Sequence, residues 1–292
     1  MIAILFILFA TMMWGASFVL IKVGLREVPP VTLAALRFSL ASIIFLGAVF
    51  ARYNAREMFS YLRRDLWVLT AIGFSGIFLP NVLQNVGMQY TNASIASILM
   101  ATGPVFVVLL AAGFLGESLG VRKIGGIVLA LFGAVMISTQ GDLSGLREMR
   151  GYLLGNILLL LAAASYGPST ILAKMRVSEE EPIVVLTWST VIGSLFLLAF
   201  TPLYESGAAL FSLSRSAWII VLALVLLPTA LAFFMWFEAL KRMEASKVSM
   251  FIFLIPVFAV AFANFFISEP ITLFTLANAA LILLGVYMSQ SG

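Results

Sequence analysis

Carboxamides at a helical spacing, and prolines at matching places in apolar runs, are the features of this 292-residue sequence best suited to chemistry. Asn81, Gln84, Asn85 and Met88 recur at i, i+3, i+4 and i+7, so a helix sets them on one face. In an apolar run such amides turn toward neighbouring helices rather than toward hydrocarbon, where they would lack partners. The positions 152 residues later hold Phe233, Trp236, Phe237 and Leu240, so the corresponding face is aromatic. The two faces are expected at different depths of one pathway, with interhelical hydrogen bonding and plain packing as the alternative reading. Amides and hydroxyls can orient a solute while aromatic rings enclose its apolar part. Trp14, Ser17, Gln84, Asn85, Thr102, Tyr166, Ser169 and Trp236 are the candidate contacts. Pro104 and Pro256 lack a backbone donor and leave the carbonyls of Met100 and Ile252 without their helical partner, which predicts broken helices or simple kinks. Pro168, beside Gly167, predicts a third break facing Trp14 and Gly15.

Other chemistry is disfavoured by what is missing. With no His and no Cys, the sequence has no Ser-His or Cys-His nucleophile and no thiolate metal site. The two aspartates, Asp65 and Asp142, fall in expected loops, so an aspartyl dyad within an apolar run is also excluded. Lys22 and Lys174 sit at the ends of runs, where snorkelling explains them better than activation of a serine. No cofactor is expected. Four charged residues are candidates for coupling or gating. Arg37 stands about one turn inside an apolar run, placed to snorkel or to pair with Glu27. Glu117 and Glu269 end two runs on opposite sides, and Glu238 is the carboxylate nearest a pathway and hence the candidate proton relay.

These side chains need a framework, and composition describes it. Hydrophobic residues make up 62% of the chain and charged residues 10%, too few charges to coat a soluble domain. Nine uncharged stretches, 1–21, 66–88, 93–116, 124–141, 151–173, 182–204, 216–237, 248–268 and 270–292, are joined by a tenth, 31–51, interrupted only by Arg37. About 20 residues at 1.5 Å rise cross a bilayer, and backbone in hydrocarbon must satisfy its own hydrogen bonds, so each stretch is expected to be a transmembrane helix. With alternating connections, eleven Lys and Arg fall on the side of the amino terminus and five on the other. Excess basic loops face the cytoplasm, which places both termini there and accounts for the net charge of +4 without a nucleic-acid partner.

One shift of 152 positions aligns Gly15 with Gly167, Ser17 with Ser169, Lys22 with Lys174, Pro104 with Pro256, Glu117 with Glu269 and Gly133 with Gly285. Each half, 1–141 and 151–292, then holds five stretches. An odd number forces the halves to enter the membrane in opposite senses, as in secondary transporters. The expected fold is therefore an all-α membrane protein of ten transmembrane helices in two inverted five-helix repeats. Small residues at Gly125, Gly126, Gly133, Ala277, Ala280 and Gly285 allow close helix approach, either to brace the halves or to support a homodimer rather than a monomer.

The run Trp14-Gly15-Ala16-Ser17-Phe18 through Ile21-Lys22, then Pro29-Pro30 and Ala35-Leu36-Arg37-Phe38, resembles the opening of the EamA family of the drug/metabolite transporter superfamily. Gln89-Tyr90-Thr91-Asn92-Ala93-Ser94, Thr102-Gly103-Pro104-Val105-Phe106 and Leu115-Gly116-Glu117 are similar to its central signature, and Ala245-Ser246 through Ile255-Pro256-Val257 to Ser268-Glu269-Pro270 to a second copy. The resemblance implies an exporter-like carrier in a bacterial or archaeal plasma membrane, serving amino acids, nucleosides, sugars or other metabolites. A channel or receptor is the alternative, with an intramembrane enzyme least favoured. Because Arg37 is the one basic residue inside a run, phosphorylated solutes are not expected. The expected solute is neutral or zwitterionic and partly apolar, such as a hydrophobic amino acid, moved with weak proton dependence at most.

Overall fold

The computed structural model describes residues 2–91, 93–116, 120–139, 153–206, 213–268 and 273–290, and each regular element among them is helical. In chain order the α-helices are α1 (Ile2–Gly24), α2 (Pro30–Phe50), α3 (Ala55–Gly73), α4 (Leu79–Gly87), α5 (Ala93–Met100), α6 (Gly103–Phe114) and α7 (Val121–Thr139). They continue with α8 (Leu153–Val177), α9 (Pro182–Tyr204), α10 (Arg215–Leu224), α11 (Ala232–Arg242), α12 (Ala245–Met250), α13 (Ile255–Ile267) and α14 (Leu273–Gln290). Joined through their irregular turns, eight of the resulting helical runs are long and apolar enough to cross a membrane. Large apolar side chains such as Ile43, Leu195, Leu203 and Phe265 face outward, whereas Thr11, Asn81, Gln84, Thr187 and Ser246 are buried. That distribution suits a surface solvated by lipid, and hydroxyls such as Thr11 and Thr187 donate back to the carbonyls of Ile7 and Ile183.

Helix breaks occur at Pro104 and Pro256. α5 stops at Met100 and α6 restarts with Pro104 in its first turn, while α12 passes through a 3-10 turn, Phe251–Leu254, before α13 begins around Pro256. Pro168 makes no break. It lies inside the uninterrupted α8, where neighbouring helices can support a proline, and Gly167 packs on Phe106 and Leu110 rather than on α1. Asp65 is not in a loop either. Asn54 accepts from the Arg56 amide and starts α3 early, so the charged segment before residue 66 is helical and Asp65 is buried. Two further irregularities have no counterpart in the sequence reading: π-helical segments at Phe74–Phe78 and Val225–Leu231.

Residues 152 apart recur in equivalent contacts. Lys22 Nζ donates to the carbonyls of Met88 (2.9 Å) and Thr91 (2.6 Å), and Lys174 Nζ to those of Leu240 (2.8 Å) and Met243 (2.7 Å). Neither lysine snorkels; each instead caps the carboxyl end of a helix, where free carbonyls and the helix dipole attract a cation. α2 packs on α9, where the Ser42 and Ser194 hydroxyl oxygens lie 3.2 Å apart. α7 packs on α14, and here the two matching glycines allow the close approach: a methyl group at Gly133 would lie 2.8 Å from the Asn278 carbonyl, and one at Gly285 2.5 Å from that of Gly126, so either would force the helices to shift.

The two ends of the bundle differ. Ion pairs between described residues gather around the middle of α3, the end of α8, the start of α9 and the end of α11. Arg64 pairs with Asp65 at 2.8 Å and with Glu180, Arg176 with Asp65 at 3.2 Å, and Lys241 with Glu181 at 3.2 Å. At the other end Glu205 caps α2, its carboxylate accepting from the Val31 and Thr32 amides and the Thr32 hydroxyl at 2.7 Å each.

Candidate functional site

A cavity of about 110 Å³ lies where the broken and π-bulged helices meet. One water needs roughly 10–15 Å³ of such space, so this volume admits several waters or one small solute. Trp14, Ser17, Gln84, Tyr166, Ser169 and Trp236 border it, as do Met100 and Ile252, the residues whose carbonyls the prolines release. Two candidates do not. Asn85 is turned away, donating to the Pro30 carbonyl at 3.0 Å, with its own Oδ1 buried and without a hydrogen-bond partner among the described residues. Thr102 does not border the cavity and donates back to Leu99 at 2.8 Å.

The walls are built from positions 152 apart: Trp14 and Tyr166, Ser17 and Ser169, Arg37 and Ser189, Asn81 and Phe233, Gln84 and Trp236, Met100 and Ile252. The carboxamide and aromatic faces thus border one cavity. Backbone geometry repeats beneath them. Ser17 donates to the Trp14 carbonyl at 2.7 Å, and Ser169 to that of Tyr166 at 3.0 Å. On the aromatic side Trp14 meets Phe233 edge-on at 5.4 Å and Trp236 at 5.1 Å between ring centroids, the tilted arrangements such rings prefer. On the amide side, the Gln84 Nε2 contact among described residues is the Met88 sulfur at 4.0 Å, a weak acceptor that leaves its donors available.

Arg37 neither snorkels nor pairs with Glu27, which is exposed in the turn after α1. It is 5% exposed, borders the cavity, and donates through Nε to Thr229 Oγ1 and through Nη2 to the Pro228 carbonyl at 3.5 Å. The π-helical segment explains this inward turn. Pro228 has no N–H for the Leu224 carbonyl, and the Thr229 hydroxyl takes that place at 2.6 Å, leaving its lone pairs toward Arg37. In the widened turn the Ala232 amide reaches Leu227 and Thr229, and the Pro228 carbonyl accepts the Trp14 indole N–H at 2.8 Å. The guanidinium also lies 5.0 Å from the Phe38 ring.

Glu238 is ion-paired with Arg242 at 2.8 Å and does not border the cavity; Glu117 and Glu269 lie outside the described residues. Among the described residues no group of three or more acidic side chains is placed to hold a metal ion.

The model of the EamA-like transporter family matches residues 1–139 and, a second time, residues 153–290. This chain belongs to that family. It is 30% identical over 277 residues to an uncharacterized transporter of Archaeoglobus fulgidus, covering 94% of each chain. A probable amino-acid metabolite efflux pump of Escherichia coli is 30% identical over 292 residues, covering 98% of this chain and 93% of the relative. A solved crystal structure at 21% identity has the same fold, with a TM-score of 0.77 over 98% of this chain and 95% of the other. EamA-like membership makes the molecule an integral membrane transporter rather than an enzyme.

Several cavity residues escaped the candidate set. Asn81, Phe233 and Phe237 belong to the two helical faces already recognised, whereas Thr170 and Ser189 carry no distinguishing pattern. The signal for the inward arginine was Pro228-Thr229, a proline and a hydroxyl adjacent in an uncharged run.

Proposed function

We propose that this EamA-like chain is an alternating-access carrier of ten transmembrane helices, its halves 1–141 and 151–292 inverted and both termini cytoplasmic. It exports or exchanges a small, partly apolar metabolite without phosphate groups, amino acids being the leading class, and works as a monomer or homodimer. The observation that carries this reading is the cavity, walled by both halves at positions 152 apart and placed at interrupted helices, where inverted-repeat carriers hold their solutes. α7 and α14, of 19 and 18 residues, are long enough to complete ten spans beside the eight apolar runs. The end that gathers the ion pairs is also the basic-rich end of the charge count, and so the cytoplasmic one. The name of the Escherichia coli relative supports amino acids.

Counterflow in liposomes tests the mechanism, with expected uptake that saturates with solute concentration. Flux rising linearly with concentration would overturn alternating access in favour of a channel. Orientation is tested separately with single cysteines in a chain that has none: Ser206→Cys is expected to react with an impermeant thiol reagent from outside whole cells, and Ser178→Cys only after lysis.

A further inference from the structure

We infer that the cavity recognises its solute by a carboxylate bound to Arg37, so that the transported class is small apolar monocarboxylates, amino acids among them, with the amino group dispensable. This rests on the transport site proposed above and names the group that site reads.

A guanidinium stays charged in a protein, and burying a charge without an opposite charge is costly. Arg37 is buried, and the acceptors it has reached among the described residues are a hydroxyl and a backbone carbonyl, both neutral. Neither bond uses Nη1, which has no hydrogen-bonded partner among the described residues although Arg37 borders the cavity. A planar donor group in that condition matches a carboxylate, which can accept two parallel N–H bonds.

The other half is built without such a charge. The position 152 residues later is Ser189, whose hydroxyl is spent on the Val185 carbonyl at 2.7 Å, and the counterpart of Thr229 is Ile77. α2 packs on the π-helical segment Val225–Leu231 as α9 packs on Phe74–Phe78, the first pair with a buried cation and its hydroxyl support and the second with neither. A charge that the architecture dispenses with in one half is best explained by something the cavity holds.

The same lining sets the rest of the solute. No Asp or Glu borders the cavity, so an α-ammonium group meets no opposite charge there. One cation balances one anion, which favours a monocarboxylate over a phosphate dianion. Phe233, Trp236 and Phe237 supply an apolar wall for the remainder.

The test uses full-length protein in detergent and two matched series, built on leucine and on phenylalanine: the amino acid, its deaminated acid, its amide and the corresponding amine. Equilibrium binding is measured by titration calorimetry. Both acids of each series are expected to bind about tenfold or more tighter than the amide and the amine, the discrimination a lost bidentate ion pair produces. Arg37→Gln is expected to erase that preference and Arg37→Lys to restore part of it. Amides binding as tightly as acids to the wild type, a preference that survives Arg37→Gln, or no binding of either series would each overturn the inference, and the wild-type comparison does not depend on a variant folding. Acid-selective binding with no counterflow in liposomes would leave this inference standing and overturn the carrier reading instead.

Discussion

The carboxamide wall from α4 and the aromatic wall from α11 occupy the same positions of two stretches 152 residues apart, yet they offer opposite chemistry to one cavity. Asn81 and Gln84 face it from one side, Phe233 and Trp236 from the other. Away from the cavity the same two stretches behave alike, each ending in carbonyls capped by a lysine, Lys22 or Lys174. Contacts that hold the helices together are thus duplicated, and these two walls of the cavity have diverged. The difference makes the site amphipathic, which two identical walls could not achieve.

The largest way to break the comparison is to remove the aromatic wall. Trp236→Ala is expected to lower counterflow at low solute concentration by about tenfold or more, because a large ring encloses more apolar surface than an amide does. Gln84→Ala in the opposite wall is expected to cost only about threefold, the scale of one neutral hydrogen bond. Rates are to be normalised to inserted protein. Equal losses at the two positions would mean that the walls do not divide their labour.

The shared contacts can be probed next. Lys22→Met and Lys174→Met are each expected to lower unfolding stability by roughly 1.5–3 kcal/mol, the range for a hydrogen bond from a charged donor. Denaturation in detergent measures this, and the prediction is that the two losses agree. A marked inequality would show that the matching geometry hides unequal duties.

The smallest effect is expected at Glu238. Its carboxylate is held by Arg242 and lies outside the cavity, so Glu238→Gln should leave the response of uptake to an imposed pH gradient within about twofold. Loss of a strong gradient response in the variant would instead make this residue the relay.

The long helices were legible because charge-free runs of bilayer length leave the backbone no alternative. The breaks at Pro104 and Pro256 were legible for a comparably local reason, a missing N–H. Direction was harder to read. Gln84 and Asn85 are neighbours on one helical face, and it took the Pro30 carbonyl, brought by α2, to draw Asn85 away while Gln84 stayed at the cavity. Arg37 lies near enough to a helix end for its length alone to suggest snorkelling. Its inward path depends on a widened turn in a distant segment, where Thr229 and the Pro228 carbonyl meet it across the fold. Periodicity ranks faces, but it carries no information about which acceptor another helix will present.

Ser42 and Ser194 are counterparts of each other and also touch. In a carrier whose halves trade shapes, a contact between unlike positions becomes its mirror twin elsewhere in the molecule, as the Lys22 cap would become the Lys174 cap. A contact between like positions has no twin and maps onto itself. Under the alternating access proposed above, the Ser42–Ser194 contact would be the same in both conformations, which would make the seam of α2 and α9 a fulcrum of that motion.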